Sequence, residues 1–114
     1  MSDSMNLDDY QRAALRTINP ALDKKDRLLD ASAGLAEEAA EVLGLVRKKV
    51  FQQREIDREK LIEEIGDTLW CLAVTADALG ISLDDAAMAN QSKLAKRHPD
   101  GFRDPAEWSR SQRE

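Results

Sequence analysis

The stretch "LAEEAAEVLGLVRKK" (35–49) sets Glu37, Glu38 and Glu41 among Leu, Ala and Val, and "LIEEIGDTLW" (61–70) does the same with Glu63, Glu64 and Asp67. Each segment contains a pair of acids three residues apart, Glu38 with Glu41 and Glu64 with Asp67, and on a helix such a pair shares one face. If the two segments fold back on each other near Gln52, the pairs lie at the same height, about 20 Å from the tip at about 1.5 Å per residue. Carboxylates gathered in a partly dry cleft repel one another and are driven to protonate unless a cation offsets them. Mg²⁺ or Mn²⁺ suits such a set, because both prefer carboxylate oxygen, keep several waters and are commonly shared with substrate phosphates. A calcium loop does not match acids that lie on helices, and zinc lacks ligands: Cys71 and His98 are the only soft or borderline donors and neither adjoins the acids.

The competing reading is a solvated acidic face with Lys partners one turn on. Four residues after Glu37, Glu38 and Glu41 come Glu41, Val42 and Leu45, and after Glu63 and Glu64 come Asp67 and Thr68, with no Lys among them. On these grounds alone a metal site and a solvated face both stand. Glu63 is the weakest member and is read as exposed.

The elements that must hold these acids are helical. Ala, Leu, Glu, Lys, Gln and Arg dominate, with only 5 Gly and 3 Pro, a composition that favours helix. Four helices are expected. The first covers about 7–17 and stops before Pro20. The second runs about 25–50, with Leu28, Ala31, Leu35, Val42, Leu45 and Val46 at helical spacing. "FQQREID" (51–57) is the polar break, Asp57 the N-cap of a third helix over about 58–79, and Gly80 its terminator. The fourth opens at Ser82 and Asp85 and ends near Arg97 before Pro99. The fold class is therefore all-α, a four-helix-type bundle whose antiparallel hairpin carries the metal site. Because "LWCLAVTADAL" (69–79) is apolar almost all the way round, the bundle is expected to be completed by oligomerisation, as a homodimer or homotetramer. Residues 1–102 read as one domain and 103–114 as a loop-like or partly disordered tail.

The remaining composition excludes several classes. The net charge is -5; residues 1–90 carry 11 Lys/Arg against 18 Asp/Glu and residues 91–114 carry 6 against 4, which argues against a duplex nucleic-acid binder. No apolar run approaches the roughly 20 residues of a membrane span, so no membrane partner is expected. One cysteine forms no internal disulfide and points to the cytoplasm.

The pattern Glu37-Glu38-x-x-Glu41, then Glu64-x-x-Asp67, resembles the acid signature of the all-α nucleoside triphosphate pyrophosphohydrolases, in particular the MazG-like branch, and "NQSKLAKRHPDGF" (90–102) resembles that branch's downstream segment. The resemblance covers roughly residues 7–102. It implies Mg²⁺-dependent hydrolysis of a nucleoside triphosphate substrate between the α and β phosphates, giving monophosphate and pyrophosphate, as nucleotide-pool house-cleaning on canonical or modified dNTPs. It implies Glu38, Glu41, Glu64 and Asp67 as metal ligands, with Mn²⁺ as a substitute ion, and Glu37 and Glu38 as catalytic acids, Glu37 holding a second metal or orienting the attacking water. Lys93 and Arg97 are assigned to phosphate and Asn90 to sugar, base or phosphate. Phosphoribosyl-ATP pyrophosphohydrolase, of similar size and motif, is the alternative within the superfamily; a non-enzymatic helical adaptor is the alternative outside it. Trp70 and Cys71 are read as core or interface, His98 as a loop residue.

Overall fold

The computed structural model describes residues 4–102 together with Asp104 and Ala106. Its described elements are four α-helices: α1 (Leu7–Leu15), α2 (Lys24–Gln52), α3 (Arg58–Ala78) and α4 (Leu83–Arg97). The all-α expectation is met. The chain divides into two compact units, residues 1–83 and 84–114. The expectation for the tail at 103–114, Trp108 included, lies outside the described residues.

Local chemistry sets the helix ends. Asn6 accepts from the Asp9 amide at 2.7 Å while the Asp9 carboxylate accepts from the Asn6 amide, a reciprocal cap on α1. Asp23 caps α2 through the Asp26 amide at 2.8 Å, and Asp57 caps α3 through the Lys60 amide at 3.2 Å, as its sequence position predicts. The second helix runs two residues beyond the expected break: Phe51 and Gln52 stay helical, and Gln53 ends the helix in a left-handed conformation at φ 52°. At the other end of α3, Gly80 at φ 72° lets the Ile81 amide reach back to the Ala76 carbonyl at 2.8 Å.

In the first unit α2 and α3 pack as an antiparallel hairpin, and α1 packs on α3. The hairpin register is fixed by contact. Gly34 lies against Cys71, so close that a Cβ there would stand 3.1 Å from its Sγ, and Arg27 pairs with Asp77 at 3.9 Å. Both pairings centre the fold-back at Gln52–Gln53, in agreement with the sequence. The close approach is made by Gly34; a Cβ on Gly66 would meet nothing within 4 Å.

Among the described residues the buried apolar ones are small: Ala14, Ala31, Cys71, Ala73 and Val74. Two polar side chains, Gln11 and Glu64, are buried with them. Gln11 is 7% exposed; its amide donates to the carbonyls of Ala73 at 3.0 Å and Ile81 at 3.1 Å, and its oxygen accepts from the Leu83 amide at 3.1 Å. It thereby fastens α1 to the end of α3, and its own buried amide is satisfied. In the second unit α4 is followed by a turn in which the His98 and Phe102 rings stack at 6.0 Å.

Candidate metal centre

Helical spacing places Glu38 on the side of α2 that faces α3, between Ala31 and Val42, and Glu64 on the side of α3 that faces α2, about two turns before the buried Cys71 and about three before Val74. Glu64 is only 6% exposed. Glu38, Glu64 and Asp67 each offer a carboxylate oxygen, and the three oxygens lie within 4.8 Å of one another. Glu38 is half-buried, Glu64 buried and Asp67 exposed, so the group opens to solvent on the Asp67 side.

Of the four expected ligands, three are therefore brought together. Glu41 is exposed and falls outside the trio, as does Glu37, although both lie near enough to act on its charges: Glu37 on Glu38, and Glu41 on Lys60. Glu63 is exposed, as expected. Asn90, Lys93 and Arg97 stand on one exposed face of α4, in the second unit.

Electrostatics shows what this crowding costs. A side-chain hydrogen bond with Glu64, then burial, then the charges of Glu64, Asp67 and Glu37 push the Glu38 carboxyl up to about 7. Glu64 moves the other way, held low by the Glu38 hydrogen bond and by Lys60. The interaction of the two carboxyls thus favours the protonated form of Glu38 and the charged form of Glu64. Two like charges at such a distance cannot both ionise without a cation between them.

Lys60 is the residue that inspection of the sequence missed. Its Nζ lies 3.2 Å from Glu64 Oε1. Lys partners were sought four residues after each acid, whereas Lys60 lies four residues before Glu64 and reaches the same face from the N-terminal side. Tyr10 approaches from α1, its hydroxyl donating to the Gly66 carbonyl at 3.5 Å, and burial followed by the Asp67 charge pushes its pKa up, disfavouring the phenolate. Trp70 does not enter the trio; its Nε1 donates to Thr17 Oγ1 at 2.8 Å.

The donors fit a hard divalent cation. All three are carboxylate oxygens, close enough to share one ion, and the raised Glu38 records the repulsion that such an ion would remove. Among the described residues no single helix is long and apolar enough to cross a membrane.

The model of the MazG nucleotide pyrophosphohydrolase domain matches residues 28–102, which takes in both acid helices and α4. An uncharacterized protein, YvdC, from Bacillus subtilis (strain 168) is 39% identical over 72 residues, covering 55% of this chain and 68% of its own length. The Gene 37 protein of Mycobacterium phage L5 is 31% identical over 105 residues, covering 85% of this chain and 92% of its own. No solved structure matches significantly. The chain belongs to the MazG nucleotide pyrophosphohydrolase domain family.

Proposed function

We propose that this chain hydrolyses nucleoside triphosphates, dNTPs of canonical or modified base among them, at the α–β phosphate bond to monophosphate and pyrophosphate, in the cytoplasm and in the service of nucleotide-pool house-cleaning. The observation that carries this reading is the Glu38–Glu64–Asp67 trio on facing helices of a MazG-family chain. Glu38, Glu64 and Asp67 would hold Mg²⁺, or Mn²⁺ in its place, with Glu41 recruited from the exposed face of the same turn. The bound ion would supply charge compensation for the phosphates and a water of lowered pKa.

The rest is the work of the chain's own residues. Glu64 is fixed by its burial and by Lys60, so it enters the site already oriented. Glu38 must give up the proton it shares with Glu64 before it can ligate. Glu37, exposed one residue away and free of the trio, is assigned to orient the attacking water and accept its proton. Lys60 places an ammonium beside the carboxylates, where it can meet a phosphate oxygen. Lys93 and Arg97 supply further phosphate contacts and Asn90 a sugar, base or phosphate contact. The active species is a homo-oligomer, a dimer or a tetramer, because the face of the hairpin away from the acids is apolar and exposed.

A panel of canonical and modified dNTPs and NTPs, assayed with Mg²⁺ and a pyrophosphate readout, tests the reading. Pyrophosphate and monophosphate from at least one nucleotide, abolished by EDTA, is the expected result. Monophosphate with two orthophosphates and no pyrophosphate formed first, or no hydrolysis of any nucleotide, would overturn it.

A further inference from the structure

No packing contact explains Gly44. It lies inside α2 with helical backbone, where glycine weakens a helix relative to alanine, and a Cβ added there would meet nothing within 4 Å. Neither a turn nor a close approach of helices accounts for it. What the glycine leaves is room: it floors an open hollow of about 210 Å³ whose other walls are Arg47, Lys48, Phe51 and Gln52.

The hollow continues the acid site. Glu37, Glu41, Gly44, Lys48 and Phe51 follow one another at steps of four, three, four and three residues, so they share one side of α2. The register that sets Gly34 against Cys71 and Arg27 against Asp77 puts Lys60 of α3 level with Gly44 and Leu45. From there Lys60 reaches Glu64 at 3.2 Å and lies within the field of Glu41. The order from the carboxylates toward the hairpin tip is therefore acid, ammonium, hollow. Along the axis Lys48 lies about 10 Å and Phe51 about 15 Å beyond Glu41, at about 1.5 Å per residue. Long helical side chains lean back toward the N-terminus, here toward the acids.

The lining suits a flat ring attached to an anion. Arg47 Cζ stands 5.9 Å from the centroid of the Phe51 ring, which is 75% exposed. Guanidinium and phenyl together offer a stacking surface, and nucleic-acid bases stack on both kinds of plane. Lys49 is paired with Glu55 at 3.4 Å, but among the described residues neither Arg47 nor Lys48 has an ion pair. Basic residues near a helix C-terminus offset its dipole, which accounts for their charge but not for the glycine or the wet phenyl ring. At about 210 Å³ the hollow is smaller than the roughly 300–1,000 Å³ of a pocket that encloses a whole drug-sized ligand, and it suits one ring system with its edge in solvent.

We infer that this hollow is the nucleoside subsite: with the reacting phosphates of a nucleotide on the acid site, its base stacks on Phe51 and Arg47 over Gly44, and Lys48 and Gln52 meet the polar edge of base or sugar. The inference rests on the nucleotide hydrolysis proposed above and adds where the uncharged part of the substrate lies.

Steady-state kinetics on the best nucleotide of the panel, with inorganic triphosphate as a competing ligand, tests it. Gly44→Leu fills the hollow and replaces glycine with a better helix former, so it should melt at or above the wild-type temperature. Its KM should rise at least about tenfold, the scale of one lost base stack, with kcat within about threefold, as befits lost ground-state binding. Phe51→Ala, at an exposed position, should do the same, and it carries the test alone if Gly44→Leu melts lower. Inhibition by inorganic triphosphate should be equal in wild type and both variants, because the hollow holds no phosphate. An unchanged KM in either folded variant would overturn the subsite while leaving the hydrolysis in place. Equal weakening of nucleotide and inorganic triphosphate would overturn it in favour of a phosphate site. A wild type that cleaves no nucleotide would overturn the hydrolysis and this inference with it.

Discussion

The two sides of the α2–α3 hairpin use the same helices and the same register for opposite ends. On one side Glu38, Glu64 and Asp67 crowd like charges within 4.8 Å; on the other, Leu43 of α2 and Ile62 and Ile65 of α3 are exposed. Under the proposed function a cation would offset the first. The lesson is physical. Unfavourable local arrangements, a raised carboxyl or a wet isoleucine, mark where something else binds, provided that the geometry around them is ordered.

The comparison breaks most sharply at the acids. Asp67→Asn or Glu64→Gln should lower pyrophosphate release by at least about 100-fold, since removing a ligand costs more than removing a group that merely supports one. Circular dichroism and thermal melts should show these variants folded, because the helices are held by other contacts. An unchanged rate would return the trio to the status of a solvated patch.

Next in size is the clamp that holds α1 to the hairpin. Gln11→Ala removes three hydrogen bonds, to the Ala73 and Ile81 carbonyls and from the Leu83 amide, and should cost about 2–3 kcal/mol in denaturant unfolding. A loss below about 0.5 kcal/mol would mean that water replaces the clamp at little cost.

The glycines sharpen the comparison further. Gly34→Ala and Gly66→Ala both gain about 1 kcal/mol of helix propensity, but only the former drives a Cβ to 3.1 Å from Cys71 Sγ. Gly66→Ala should therefore be the more stable of the two by about 1–3 kcal/mol, as overpacking costs. Equal melting midpoints would show that the α2–α3 crossing yields freely.

The smallest effect is in pH. With EDTA present, the folded chain binds the Glu38 proton more tightly than the unfolded chain, whose value is 4.5, so its stabilising contribution is full below 4.5 and lost as pH rises through about 7. Glu64, held low, contributes in the opposite sense: its share is present above 4.5 and lost as pH falls. Chemical melts between pH 5 and 8 should show the wild type losing stability relative to Glu38→Gln as pH rises. Parallel curves would remove the shared proton from the account.

Much of this was legible from residues alone, and the failures share a cause. Helix ends at Asp57 and Gly80 are set by their own side chains or by the lack of one, so spacing finds them. The hairpin register was readable because two acid pairs had to meet. Lys60 was missed because a charge partner was sought in one direction along the helix. Glu41 shares a helix face with Glu38 but is exposed and stands outside the trio, because a shared face does not guarantee that a side chain reaches inward. Gln11 gave no signal, since burial of an amide depends on three backbone groups from α3 and the turn after it. The stop at Gln53 rather than Phe51 reflects a left-handed residue that composition does not announce.

The central claim is that Glu38, Glu64 and Asp67 hold a divalent cation. Titrating Mn²⁺ into the wild type and into Glu38→Gln/Asp67→Asn, with free ion followed by electron paramagnetic resonance, tests it without reference to any substrate. Binding to the wild type that weakens by more than about 100-fold in the variant, and by about tenfold per pH unit below the Glu38 value of about 7, is the result this account predicts. No binding to the wild type, or equal binding by the folded variant, would contradict it.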